Sequence, residues 1–197
     1  MKQFTTLLLA VLSHSVLATN APKNIIMMVG DGMGPAYTTA YRMYADDPST
    51  PEVEQTVFDR LLVGMASTHP DIVSGFVTDS AAGATALSTG VKSYNGAIGV
   101  DTNKKPVQTV LELAKIQGRK TGVAVTSQIN HATPASFGSH NESRQNYDQI
   151  ADSYFDDKTN GQFVLDVMLG GGWKTMKCKV EEQEKAKKEA GAADKFE

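Results

Sequence analysis

The sequence predicts an α/β fold, a mainly parallel sheet sandwiched by helices. Three observations carry that expectation. Short apolar runs recur at residues 24–29, 61–68, 122–126 and 164–169, as strands buried within a layered fold require. Helical patterns lie between them, and strands alternating with helices form parallel sheets through right-handed crossovers. The conspicuous polar residues Asp31, Ser80, His131 and Thr133 follow apolar runs, at the carboxyl ends of strands, where ligands bind in such sheets.

The elements follow in order. Residues 24–29 (NIIMMV) read as a strand buried on both faces, ending in the glycine-rich turn 30–34. A helix is predicted over 35–44, a surface loop over 45–56 and a strand over 61–68. The small-residue stretch 81–88 reads as a tightly packed helix that begins at Ser80. Residues 106–117 form the clearest amphipathic pattern, with Val107, Val110, Leu111 and Ala114 on one face and Gly118 as the stop. A buried strand is expected over 122–126, a helix over 146–154 and a strand over 164–169, ending in three glycines. The charge-rich stretch 177–197 offers little to bury.

Composition bounds the class. The chain has 197 residues, 41% hydrophobic and 21% charged, enough for one domain with a core and unlike a disordered chain. A net charge of −3 and the lack of a basic stretch argue against nucleic-acid binding. Lys2, followed by the apolar run 7–12 and small residues near Ala18, reads as a signal peptide over 1–18. The protein is then expected to be exported, periplasmic or secreted, with one domain over 19–197. The run 7–12 is too short to span a bilayer. The single Cys178 excludes an internal disulfide framework.

Three segments carry candidate chemistry. The turn GDGMG at 30–34 departs from the dinucleotide fingerprint, because its third glycine comes one residue early. Asp31, cleared by glycines, suits close approach to a hard cation; it equally suits the capping of a helix. In TDSAAGATA, Ser80 opens a helix whose N–H groups and dipole favour a phosphoryl group on its oxygen. A plain N-cap serine is the other reading. No G-x-S-x-G elbow surrounds Ser80, and residues 83–90 lack the lysine of a P-loop. His131 and Thr133, read as part of an extended chain, would face one site. Arg144 suits bidentate contact with phosphate.

In combination, the ordered segments NIIMMVGDGMG, VTDSAAGATALSTG, INHATPASFGSHNESR and LDVMLGGG resemble the alkaline phosphatases, over about residues 24–172. The resemblance implies an alkaline-phosphatase-like fold, incomplete in this chain. It implies that Ser80 is the nucleophile that becomes phosphoserine, that Arg144 holds two phosphate oxygens and that Asp79 positions Arg144. It implies two Zn2+ ions and one Mg2+: Asp31 shared between magnesium and zinc, Ser80 on zinc, Thr133 on magnesium and His131 near the magnesium. Phosphate monoesters and inorganic phosphate would be the ligands, and a homodimer is a candidate assembly because the family commonly dimerises.

One departure qualifies this. No histidine follows His140, whereas the family's remaining metal ligands come later in the chain. Metals and turnover are therefore expected in a full-length protein, and little activity from these residues alone. The rival expectations are a phosphodiesterase or sulfatase of the same superfamily, and a non-catalytic fragment.

Overall fold

The computed structural model describes residues 22–172. The proposed signal peptide, Cys178 and the charged stretch 177–197 lie outside the described residues. The chain divides into two units, one ending at Gly30 and the other beginning at Asp31.

In the first unit, residues 24–29 do not form the expected strand. Ile26 is 88% and Met28 92% exposed. Apolar composition alone makes no strand; a ladder partner is needed, and none pairs with this run among the described residues.

The second unit is α/β. Its order is α1 (Pro35–Ala45), α2 (Val57–Leu61), α3 (Ser80–Thr89), α4 (Val110–Ile116), β1 (Gly122–Gln128), α5 (Ala132–Gly138), α6 (Tyr147–Asp156), β2 (Lys158–Thr159), β3 (Gln162–Phe163) and β4 (Val167–Gly171). Strands β1 and β4 run parallel, with Gly122 opposite Val167 and Ala124 opposite Leu169. Strands β2 and β3 form a small antiparallel hairpin around Asn160 and Gly161, both at positive φ.

Several expectations are corrected. The strand expected over 61–68 is absent: Leu61 ends α2, and the residues after it are irregular and exposed. A capping box starts α2 and carries it through Leu61: Thr56 accepts from the Asp59 N–H, and Asp59 accepts from the Thr56 N–H. The helix expected over 106–117 begins only at Val110, because Thr109 and Glu112 form a second capping box. Before it, the Val107 N–H donates to the Gly99 carbonyl. The inward residues of α4 are Leu111, which packs on the core, and Lys115; Val110 is 46% exposed. Strand β1 alternates between exposed and half-buried residues rather than being covered on both faces.

The core lies where α3 and α5 meet beside β1. Ala81, Ala82, Gly83 and Ala84 are buried along α3, and Ala132, Ala135 and Ser136 along α5. Small side chains let the two backbones approach, and hydroxyls satisfy the polar groups left inside. The Ser88 hydroxyl donates to the Ser136 carbonyl at 2.6 Å, and the Thr85 hydroxyl to the Ala97 carbonyl at 3.0 Å. Ile98, Ile150, Tyr154, Val164 and Leu165 complete the cluster. This packing fixes the N-terminal ends of α3 and α5, which carry Ser80 and Thr133.

Candidate active site

Ser80 is the first residue of α3, and Asp79 is its N-cap. Asp79 Oδ1 accepts from the Ala82 N–H at 2.9 Å, the usual capping bond. Asp79 Oδ2 accepts from the Gly96 N–H at 3.0 Å and from Arg144 Nη1 at 3.0 Å. The same Nη1 donates to Ser80 Oγ at 2.9 Å. Arg144 Nη2 donates to His131 Nε2 at 3.3 Å. One guanidinium thus touches Asp79, Ser80 and His131. The Asp79 and Arg144 side chains are 26% and 20% exposed, so their ion pair is partly shielded from solvent.

Local sequence explains the placement. Asp79 has an extended backbone that turns directly into the helix. The first-turn N–H groups that follow it have no carbonyl of their own helix to accept them, and they carry the positive end of the dipole. Arg144 follows α5, and its backbone N–H is tied to the Gly96 carbonyl at 2.8 Å.

His131 and Thr133 do not lie on an extended segment, as expected from sequence. His131 is the N-cap of α5, and Thr133 lies in its first turn. The helix forms because Pro134 falls in that first turn, where its missing N–H costs nothing. The two side chains consequently diverge in partner: His131 meets Arg144, while Thr133 Oγ1 donates to Asp31 Oδ2 at 3.3 Å. Since Arg144 only donates, His131 Nε2 accepts and Nδ1 carries the proton. Nδ1 is buried without a partner.

The donor chemistry is uneven. Asp31 and Thr133 supply two adjacent oxygens, the kind a hard cation such as magnesium takes, and the orphaned His131 Nδ1–H is a donor that only a further acceptor would satisfy. Among the described residues, however, no group of three or more His, Cys, Asp or Glu side chains comes together, so a two-zinc cage is not provided by them.

Two features escaped the sequence reading. Asn95 and Gly96 border the site: Asn95 Oδ1 accepts from the Asp79 N–H, and Gly96 contacts Asp79 and Arg144. Their only sequence signal was an Asn-Gly turn dipeptide.

Comparison with known proteins places these features in context. The family model described as alkaline phosphatase matches residues 22–195. Alkaline phosphatase 4 of Bacillus subtilis is 58% identical over 151 residues, which cover 76% of this chain and 33% of that protein. Alkaline phosphatase of Escherichia coli is 38% identical over 183 residues, covering 81% of this chain and 37% of that protein. The crystal structure of a cold-active alkaline phosphatase from Shewanella sp. matches with a TM-score of 0.69 and 61% identity, covering 81% of this chain and 38% of that one. The chain spans about a third of the length of the curated relatives it matches.

Proposed function

This chain belongs to the alkaline phosphatase family, and on that premise we propose that it carries the nucleophilic half of a metal-dependent phosphate monoester hydrolase, with Ser80 as the residue phosphorylated. The observation that carries the proposal is the contact of Arg144 Nη1 with Ser80 Oγ at the start of α3.

The residues support the following course. A monoester places two phosphoryl oxygens against the Arg144 guanidinium, whose planar fork suits bidentate contact. The N-terminus of α3 adds its dipole and free N–H groups. Ser80 Oγ attacks phosphorus in line, the bond from phosphorus to the ester oxygen breaks, and the alcohol leaves with a proton. Water then attacks the phosphoserine, releasing inorganic phosphate and restoring the hydroxyl. Asp79 and His131 hold the guanidinium from two sides, so its orientation is set before the phosphoryl charge redistributes. When bound, divalent metals supply Lewis-acid stabilisation of that charge. Asp31 and Thr133 would hold the magnesium, and Asp31 and Ser80 would reach zinc; the two Zn2+ and one Mg2+ of the family are proposed for the whole protein.

Arg144 favours monoesters over the diesters or sulfates of the wider superfamily, because a terminal phosphate brings a second negative charge to the guanidinium. A second reading is favoured by the donor set: with no cluster of three ligating side chains among the described residues, these residues would bind phosphate with little turnover. Residues 1–18 are proposed as an export leader and 19–197 as part of one domain in a periplasmic or secreted protein. Among the described residues, no helix is long and apolar enough to cross a membrane. A homodimer is the proposed assembly.

The test compares an aryl phosphate monoester with the matching diester, with zinc and magnesium present, in the wild type and Ser80→Ala. The expected result is monoester preference and a loss of at least roughly 10³-fold on removing the nucleophile, with phosphate trapped on Ser80 by acid quench. A diester preference, or turnover indifferent to Ser80→Ala, would overturn the reading. Phosphate binding without turnover would establish the second.

A further inference from the structure

We propose that Asn95 is a positioning residue for phosphoryl transfer, its side chain bracing the segment 77–79 and thereby aiming Ser80 Oγ; the inference rests on the reading of Ser80 given above. The direction of a serine hydroxyl at the first position of a helix depends on how the chain enters that helix. Here the entry is held from outside. Asn95 Oδ1 accepts from the Asp79 N–H at 3.0 Å, and Asn95 Nδ2 donates to the Val77 carbonyl at 2.9 Å. One planar amide therefore grips the segment at both ends. The amide is itself fixed, because the Asn95 backbone N–H donates to Ser74 Oγ at 2.9 Å.

The neighbours of Asn95 extend the brace to the arginine. The Gly96 N–H donates to Asp79 Oδ2, the oxygen that also receives Arg144 Nη1, and the Gly96 carbonyl accepts from the Arg144 N–H. The Tyr94 hydroxyl donates to the Glu142 carbonyl at 2.7 Å, two residues before Arg144. Three consecutive residues thus connect the serine segment to the arginine segment, which lie 64 residues apart.

The Asn95 bonds are exposed, and exposed hydrogen bonds exchange readily with water. They add little to stability. Their value lies in geometry, because a small displacement of a reacting group lowers rate far more than it lowers stability. Asn95 touches no reacting atom; it acts through the backbone of Asp79.

The experiment uses the whole protein that contains these residues, with zinc and magnesium supplied, as wild type, Asn95→Ala, Asn95→Asp and Ser80→Ala. Its readouts are kcat and KM for an aryl phosphate monoester, hydrogen exchange of the Asp79 amide and the urea midpoint. Asn95→Ala is expected to lower kcat on the order of tenfold, to leave KM within about twofold, to speed exchange at Asp79 and to leave the urea midpoint in place. Asn95→Asp keeps the acceptor for the Asp79 N–H but loses the donor to Val77, so it restores slow exchange and recovers part of kcat. Exchange at Asp79 unchanged in Asn95→Ala overturns the brace whatever the activity. Faster exchange with wild-type kcat overturns its role in transfer. Ser80→Ala as active as the wild type instead overturns the reading of Ser80, and the exchange result still judges the brace.

Discussion

Asp79 and Arg144, 65 residues apart in sequence, meet at 3.0 Å through one carboxylate oxygen and one guanidinium nitrogen. The other carboxylate oxygen caps α3. A single side chain therefore starts the helix that bears Ser80 and holds the arginine that faces it. The two tasks are separable. Asp79→Asn retains a cap oxygen, since Asn and Asp cap about equally, but turns an amide toward two donors, Gly96 N–H and Arg144. Asp79→Ala loses the cap as well, which costs about 1 kcal/mol more. Urea unfolding is expected to rank the wild type above Asp79→Asn and Asp79→Ala last; equal stability of the two variants would show that the cap contributes nothing.

Gly99 stands at φ +57°, and a Cβ there would lie 2.5 Å from the Ser139 carbonyl oxygen. Backbone cannot yield as a side-chain tip can. Gly118, at φ +72°, has open space around it. Gly118→Ala should cost about 1 kcal/mol, the penalty of the left-handed conformation alone. Gly99→Ala should cost at least about 2 kcal/mol, strain and overlap together. Matched denaturation curves of the two variants would refute the steric account.

His140 is clamped through both ring nitrogens: Nδ1 meets the Gly99 carbonyl at 2.6 Å, and Nε2 meets Glu112 Oε1 at 3.1 Å. Both partners are acceptors, so the site favours the protonated ring, which donates from both nitrogens. Burial pushes its pKa down, but Glu112 and the Gly99 carbonyl, with Asp157 farther off, outweigh burial and raise it. Burial likewise pushes Glu112 up, and His140 with Thr109 brings it below its ordinary value. The stability due to His140 is complete below its ordinary pKa of 6.5 and is lost as pH rises through the raised value. The stability due to Glu112 is present above its ordinary 4.5 and is lost as pH falls through its lowered value. His140→Gln should flatten the alkaline limb of a stability–pH profile. An alkaline limb identical to that of the wild type would exclude His140 as its source.

Lys115 is buried, its side chain 1% exposed, and Asp166 is its partner. Asp166 also accepts from the Thr121 N–H at 2.8 Å, which ties the approach to β1 to the residue just before β4. The amine and these donors hold the Asp166 carboxyl well below the usual carboxylate range. Removing the carboxylate strands a buried cation, whereas replacing the cation with an apolar chain of similar length does not. Asp166→Ala is expected to lower the melting temperature more than Lys115→Met. The reverse order would contradict the assignment of Lys115 as the costly partner.

The helix start at Ser80 was more legible than the sheet. Asp79, Ser80 and the small residues after them obey local rules of capping and helix packing, which act within a few positions. The strand over 122–126 was likewise visible as an apolar run, but its parallel partner only in part: of the run 164–169, Val164 and Leu165 pack in the core and the ladder begins at Val167. Residues 24–29 and 61–68 carry the same signal, yet they form no ladder here, because pairing depends on a neighbour that the run itself does not encode. The helix after His131 was hidden by reading Asn130 to Pro134 as extended; Pro134 in a first turn was the available clue. The brace at Asn95 was hidden for a different reason. Hydrogen bonds that join residues 16 to 18 positions apart leave no periodicity behind.

The same Asn95–Gly96 step governs how the protein ages chemically. Asn-Gly is a labile pair: the glycine nitrogen can attack the asparagine Cγ, expel ammonia and leave a succinimide that opens to aspartate or isoaspartate. In the folded chain that N–H donates a hydrogen bond to Asp79 Oδ2, and the asparagine amide donates to the Val77 carbonyl, so both groups are held out of line. Unfolding releases both at once. Each excursion from the native state then carries a chance of covalent damage at the entry to α3, and the lifetime of the site becomes a record of how often the fold has opened.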